Sequence, residues 1–341
     1  MLCALRSGCP ARQPMPPSTP TRAPALAAST PSARPARRLK PLQALTGVRI
    51  LSLALNLPGP AALMRCRAMG ASCRKLEPVA TGDPMAHYCS AAYAALHTGV
   101  RVTSADLKTP AGQRALHRLL ASTDVLLTSF RPAAFTKLGL EWPTLHQRYP
   151  HLNQVAVVGA PGARANEPGH DLTYLAERGL VTGLHLPPTL YADMGGSLMV
   201  VQAVLQAVLA QKQSPASAGS FQEVALSDAA GYLALPRQWG LTLAGADAAV
   251  GGGHAGYGIY RCKDGRVAVA ALEPHFAAAL CRATGLALPG DSAQTALPSA
   301  VNALMFTPDA HRAVARFFKT QTREQLAALA TGSDLPMHTM A

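Results

Sequence analysis

The chain has 341 residues, enough to bury a sizeable core and to divide into two domains. With 49% hydrophobic and only 14% charged residues it is globular, which excludes a disordered polyelectrolyte. The formal charge is +13, but residues 1–46 hold seven Arg and Lys and no acid, so the remainder is +6. That favours a polyphosphate ligand. The basic residues are scattered and lack interleaved aromatics, which argues against a nucleic-acid groove. The seven cysteines are odd in number and form no C-x-x-C pair. Neither a disulfide framework nor a zinc site is expected, and a reducing cytoplasm is the expected location.

Residues 1–46 are rich in Pro, Ala, Ser, Thr and Arg and have no apolar periodicity. They read as a disordered basic tail or an upstream extension, with a transit peptide as the alternative. Order begins at Gly47. Val48–Leu53 reads as a buried strand, Leu57-Pro58-Gly59-Pro60 as a turn, Ala61–Met69 as a helix and Cys73–Glu77 as a second strand. This βαβ unit carries no G-x-G-x-x-G, so no dinucleotide site is assigned. A strand near Arg101–Ala105, a helix Pro110–Ser122, and strands at Asp124–Ser129 and Gln154–Val158 continue the alternation. The fold class is therefore α/β with a Rossmann-like parallel sheet in residues 47–232.

The Gly/Pro-rich loop Gly159–Gly169 leads to His170-Asp171, placed in the first turn of a helix. Free amides and the positive dipole end stabilise negative charge there. A base at such a position can take a proton while the amides hold the anion that forms. The structural alternative is that Asp171 caps the helix and His170 is a polar loop residue.

Asp193 is again an acid in a first turn, opening the long apolar segment Met194–Ala210. That segment carries Gln202 and Gln206 and reads as a buried amphipathic helix, too short to cross a membrane. Ser214–Ser220 reads as a linker. From residue 233 the texture changes. Tyr257–Tyr260, a Lys263-Asp264-Gly265 turn and Val267–Ala271 form a hairpin, followed by a helix His275–Thr284, as a smaller α+β domain over 233–300. Residues 301–341 read as a helical segment, with one helix Asp309–Ala330.

In this order the motifs resemble the family III CoA transferases (the CaiB/BaiF group), which include L-carnitine CoA-transferase, formyl-CoA transferase and α-methylacyl-CoA racemase. The residues that carry the resemblance are Leu57-Pro58-Gly59-Pro60, Gly82-Asp83-Pro84, Asp106-Leu107-Lys108, Phe130-Arg131-Pro132, Leu138-Gly139-Leu140 and Gly169-His170-Asp171. Asp193-Met194-Gly195-Gly196, Asp264-Gly265-Arg266 and Leu272-Glu273-Pro274 complete the series.

The resemblance implies an interlocked homodimer acting on an acyl-CoA thioester, with CoA entering as substrate and no further cofactor, metal or membrane. It assigns CoA contacts to Arg131, Lys108, Arg101 and Tyr174. In the racemase branch, the positions matching His170 and Asp193 are the two α-proton bases, and that matching Glu273 supports the histidine. In the transferase branch, Asp171 matches the nucleophile that forms an acyl anhydride.

The chain departs from the family at Gly99-Val100-Arg101, where one basic residue is replaced, and at Leu51-Ser52. It also stops soon after Asp334-Leu335-Pro336, where many relatives continue. Gly251–Gly253 resembles the mobile glycine loop of the transferases. The racemase set being complete, the leading expectation is α-proton transfer on a 2-methylacyl-CoA. The alternatives are CoA transfer through Asp171 and a non-catalytic acyl-CoA binder.

Overall fold

Two strands of unbroken burial anchor the architecture. Val125–Thr128 and Asn153–Val158 are buried at every position, as strands covered on both faces must be. The computed structural model describes residues 42–214, 216–288 and 298–341. Six parallel strands form the main sheet: β1 (Arg49–Ser52), β2 (Ser72–Glu77), β3 (Arg101–Ser104), β4 (Val125–Thr128), β5 (Asn153–Val158) and β6 (Phe221–Ala225). Their spatial order is β3-β2-β1-β4-β5-β6. The expected Rossmann-like parallel sheet is present.

Side chains of successive residues leave the sheet on opposite faces, and the core divides accordingly. Ile50, Val125, Leu127, Val155 and Val157 pack with Leu63 of the helix Pro58–Ala68 and with Val200, Val201 and Val204 of the helix Tyr191–Gln213. Leu51, Leu53 and Leu126 face the other way, against Leu116, Leu120, Phe135 and Leu145. The sheet is thus covered by helices on both sides.

The helix Tyr191–Gln213 is longer than its sequence suggested. At 23 residues and mean hydropathy 1.4 it is long and apolar enough to span a bilayer, but half of that stretch is buried inside the protein. It is read as the core helix under the sheet.

β6 follows directly on the stretch Ser214–Ser220 read as a linker, where no strand was expected. Its pattern is exposed at Phe221 and Glu223 and buried only at Val224 and Ala225, so it carries little apolar signal. As an edge strand it needs less.

The small sheet is antiparallel, ordered β7 (Tyr257–Cys262), β8 (Gly265–Ala270), β9 (Met337–Met340). The hairpin is where the Lys263-Asp264-Gly265 turn put it. β9, however, comes from the stretch expected to be wholly helical. One apolar cluster runs from Ala255 through Val267, Leu280, Val314 and Phe318 to Leu335. The boundary drawn at residue 300 therefore has no structural counterpart: both stretches share one core. The single helix expected over Asp309–Ala330 is two, Pro308–Thr320 and Arg323–Gly332. Between them the Thr322 hydroxyl accepts the Gln325 amide at 3.2 Å, and the Gln325 side chain accepts the Thr322 amide at 2.8 Å. That reciprocal cap starts a new helix.

At the other end, residues 1–41 of the expected tail lie outside the described residues. Of the five described residues of that tail, 42–46, Leu45 belongs to the core and the other four are exposed. Leu45 is fully buried, and its amide donates to the Met69 carbonyl at 2.9 Å. A chain beginning at Leu42 should melt with the full-length protein by calorimetry. One beginning at Thr46 should melt several degrees lower, having lost about 1.5–3 kcal/mol of leucine burial.

Candidate active site

Strand order reverses between β1 and β4, so the chain leaves these two strands in opposite directions and a crevice opens beyond their carboxyl ends. The loop after β1 supplies Asn56, the loop after β4 supplies Arg131, and the loop after β5 ends at His170-Asp171. Together with Tyr174 and Asp193 they line a cavity of about 510 Å³. The two loops at the reversal are tied together: the Leu55 amide donates to Ser129 Oγ at 3.0 Å.

His170 is the residue before the helix Asp171–Glu177. Its backbone amide donates to Thr173 Oγ1 at 3.0 Å, which fixes the entry of the chain into the helix. His170 is exposed and lines the cavity.

Asp171 points inward and is 5% exposed. Its Oδ1 accepts the Asp193 amide at 3.0 Å, so one carboxylate caps the helix that carries the other. The Asp193 carboxyl is pushed up to about 6, first by burial and then by repulsion from Asp171. A carboxyl titrating there can both take and return a proton near neutral pH.

Tyr174 lies in the floor, 6% exposed. Its ring is accommodated by two glycines: a Cβ on Gly159 would stand 2.1 Å from Tyr174 Oη, and one on Gly169 2.5 Å. Neither position can carry a side chain without displacing the ring. Burial raises the Tyr174 phenol above its usual range, and the charge of Asp193 raises it further.

A second cleft of about 410 Å³ lies beyond the ends of β2 and β3, lined by Glu77, Pro78, Asp106 and Lys108. Phe130 lines both clefts, so they are neighbours. Lys108 and Arg131 are thus brought to adjoining cavities, as expected from their strand-end positions.

Two candidates are not. Arg101 opens β3 at its amino end and lines neither cleft, because only the carboxyl ends of a parallel sheet face this crevice. Glu273 is exposed before the helix Pro274–Thr284 and makes no hydrogen bond to His170. Within one chain it does not orient the imidazole. Sequence reasoning overlooked Asn56, Ser129 and Tyr88, which also line the main cavity. Ser129 follows β4 directly, and the strand-end rule would have found it. Tyr88 carries no sequence signal.

The sequence profile of CoA-transferase family III matches residues 45–341. The chain belongs to this family. Among curated relatives, it is 32% identical over 209 residues to succinyl-CoA–D-citramalate CoA-transferase of Chloroflexus aurantiacus, covering 58% of this chain and 52% of that protein. It is 29% identical over 308 residues to the α-methylacyl-CoA racemase of Mus musculus, covering 85% and 76%. The first of these alignments spans only about half of the relative's length. Among solved structures, a hypothetical protein of Mycobacterium tuberculosis, Rv3272, superposes with a TM-score of 0.70 at 23% identity, covering 87% of this chain and 84% of that one. A CaiB/BaiF family protein of Brucella suis superposes at 0.68 and 21%. These superpositions establish the fold.

The raised Asp193 carboxyl has a consequence for stability. Between the ordinary carboxyl range and about 6, the folded chain holds a proton that the unfolded chain has released. Stability therefore falls as pH rises through that window. Asp193→Asn should raise the melting temperature at pH 7.5, by up to about 3 kcal/mol of stability, and change it little below pH 4. An equal effect at both pH values would show that the carboxyl is not perturbed.

Proposed function

We propose that this chain is an acyl-CoA enzyme that moves the proton α to the thioester carbonyl, interconverting the epimers of a 2-methylacyl-CoA. The observation that carries this reading is the placement of His170 and of an Asp193 carboxyl raised to about 6 on the wall of one cavity. Exchange of an α-proton needs one group to remove it and another to return it from the opposite face of a planar enolate. An exposed imidazole and a carboxyl near neutrality match that requirement. The thioester would lie in the main cavity and the nucleotide end of CoA would reach Lys108 in the adjoining cleft, with Arg131 and Tyr174 between. Similarity to a racemase along 85% of the chain supports the same reading.

CoA transfer through Asp171 is the second reading, favoured by the CoA-transferases among the relatives and by Asp171 lining the same cavity. Against it stands the use of Asp171 Oδ1 as a cap for the Asp193 amide. A homodimer is proposed as well. Leu190, Tyr191, Met194 and Leu198 are exposed on and before the first turns of the helix that carries Asp193, as a surface awaiting a second copy would be. We propose a cytoplasmic location as well, a reading with which five free cysteines among the described residues are compatible.

Incubating the protein with 2-methylacyl-CoA in deuterated water separates the readings. His170→Ala should suppress exchange from one epimer, and Asp193→Asn from the other, each by about 10²-fold. Asp171→Asn should do less. Loss of acceptor-dependent CoA transfer in Asp171→Asn, with no exchange in the wild type, would instead establish the transferase, and tight binding with neither activity a binder. Arg131→Ala should weaken CoA binding by about 1–3 kcal/mol in calorimetry, the cost of a lost charged hydrogen bond. Unchanged affinity would remove Arg131 from the site.

A further inference from the structure

The wall between the two clefts contains a cluster of buried charges that the proposed chemistry does not use. Lys75, the fourth residue of β2, is 0% exposed. Its ammonium makes an ion pair with Asp83 and a second with Glu77 Oε1 at 3.0 Å, and meets His97 Nε2 at 2.9 Å. His97 Nδ1 lies 2.7 Å from the Tyr93 carbonyl, so it carries the hydrogen and Nε2 is free to accept from Lys75. Burial above all holds the imidazole below its usual range, and the Lys75 charge adds to this. Glu77 Oε1 also accepts the Tyr93 hydroxyl at 2.9 Å.

Glu77, Asp83 and His97 converge closely enough to bind a metal ion, but the Lys75 ammonium already contacts all three. Its three hydrogens are spent on three acceptors. The cluster is complete without an added ion.

A buried ion pair gains little stability over apolar side chains of the same volume. What it supplies is direction. Asp83, also 0% exposed, has one oxygen on Lys75 and turns the other, Oδ1, to two amides. It accepts Asn56 N–H at 3.1 Å and Met85 N–H at 2.9 Å. Asn56 is left-handed, with φ at 64°, a conformation that costs a non-glycine residue free energy and persists only where its surroundings hold it. The neighbouring amides are held in the same manner: Leu55 N–H donates to Ser129 Oγ at 3.0 Å and Ala54 N–H to Ser52 Oγ at 3.2 Å. Asn56 and Leu57 then line the cavity that holds His170 and Asp193. Met85 is the second residue of the short helix Pro84–Tyr88, whose last residue, Tyr88, lines the same cavity. Glu77, on the other side of Lys75, lines the second cleft.

We propose that Lys75 and Asp83 are positioning residues that hold the loop Leu53–Leu57 against the reacting end of the acyl-CoA, acting on turnover through Asn56; this rests on the acyl-CoA reading above. The pair touches neither reacting atom. It aims the Asp83 carboxylate so that its second oxygen can hold the strained turn, and the turn shapes the wall facing the two proton-transfer groups. Misplacement of such a wall is felt in the transition state more than in ground-state binding.

The test replaces the buried pair by apolar residues of similar size, Lys75→Met with Asp83→Leu. A merely structural pair would leave a folded variant with normal turnover. The positioning role requires kcat for α-proton exchange to fall at least 10-fold, with KM for the 2-methylacyl-CoA changed less than 3-fold. Asp83→Asn, which keeps an acceptor for both amides, should retain at least half of the wild-type kcat. Normal kcat in the double variant would overturn the proposal.

A second measurement needs no variant to fold. Hydrogen exchange on the full-length wild type should show the Asn56 amide protected at least 10³-fold, and a freely exchanging Asn56 beside protected amides of Val125–Thr128 would also overturn it. Should the wild type show neither proton exchange nor CoA transfer, the acyl-CoA reading falls by itself. The protection of Asn56 in the wild type, and its loss in the double variant or in Asp83→Leu, then decides whether the pair holds the loop.

Discussion

The reversal of strand order between β1 and β4 is the constraint on which the rest of this molecule depends. On a sheet wound in one direction, each crossover covers the ends of its neighbour. Where the winding changes direction no connection covers the gap, and a cavity opens beyond the carboxyl ends of β1, β4 and β5. The loops that follow these strands supply Asn56, Ser129, Arg131, His170 and Asp171 to one cavity although they are scattered over more than a hundred positions of the chain. Layers of helices cover the sheet on both faces, because its strands bury alternate residues on each side.

Two groups of carboxylates near this edge show opposite solutions to burial. Asp83 and Glu77 share Lys75 as a common cation, which fixes both carboxylates in direction. Asp193 is partly buried, the larger effect on its carboxyl, and it faces another acid, Asp171, whose carboxylate is engaged by the Asp193 backbone amide. Its proton is therefore held more tightly, up to about 6. The first arrangement fixes directions, and the second raises a carboxyl's affinity for its proton. A folded chain retains an uncompensated carboxyl of this kind at a cost in stability, which is the usual mark of a site under functional constraint.

Much of this was legible residue by residue. The apolar runs of β1, β4 and β5, the Pro-Gly turn before His170 and the Lys263-Asp264-Gly265 hairpin each carry a local physical signal, and each element formed where its signal lay. The failures have causes as local. β6 and β9 are edge strands with few buried residues, so they lack the periodicity that marks a strand. The break at Thr322 was encoded by a Thr-x-x-Gln box that the apolar pattern on either side overrode. Leu45 sat in a composition dominated by its disordered-looking neighbours, and a single apolar residue makes no pattern.

The sequence by itself determined the alternation of strands and helices, the family and the titratable residues at two helix starts, His170-Asp171 and Asp193, because these are set by side chains within a few residues of one another. Only the tertiary structure decided which of them meet. It brought Asp193 beside Asp171 across 22 residues and Lys75 onto His97 across another 22. It left Arg101 at the wrong end of its strand and Glu273 away from His170. Electrostatic coupling depends on distance through the fold, and distance along the chain does not report it.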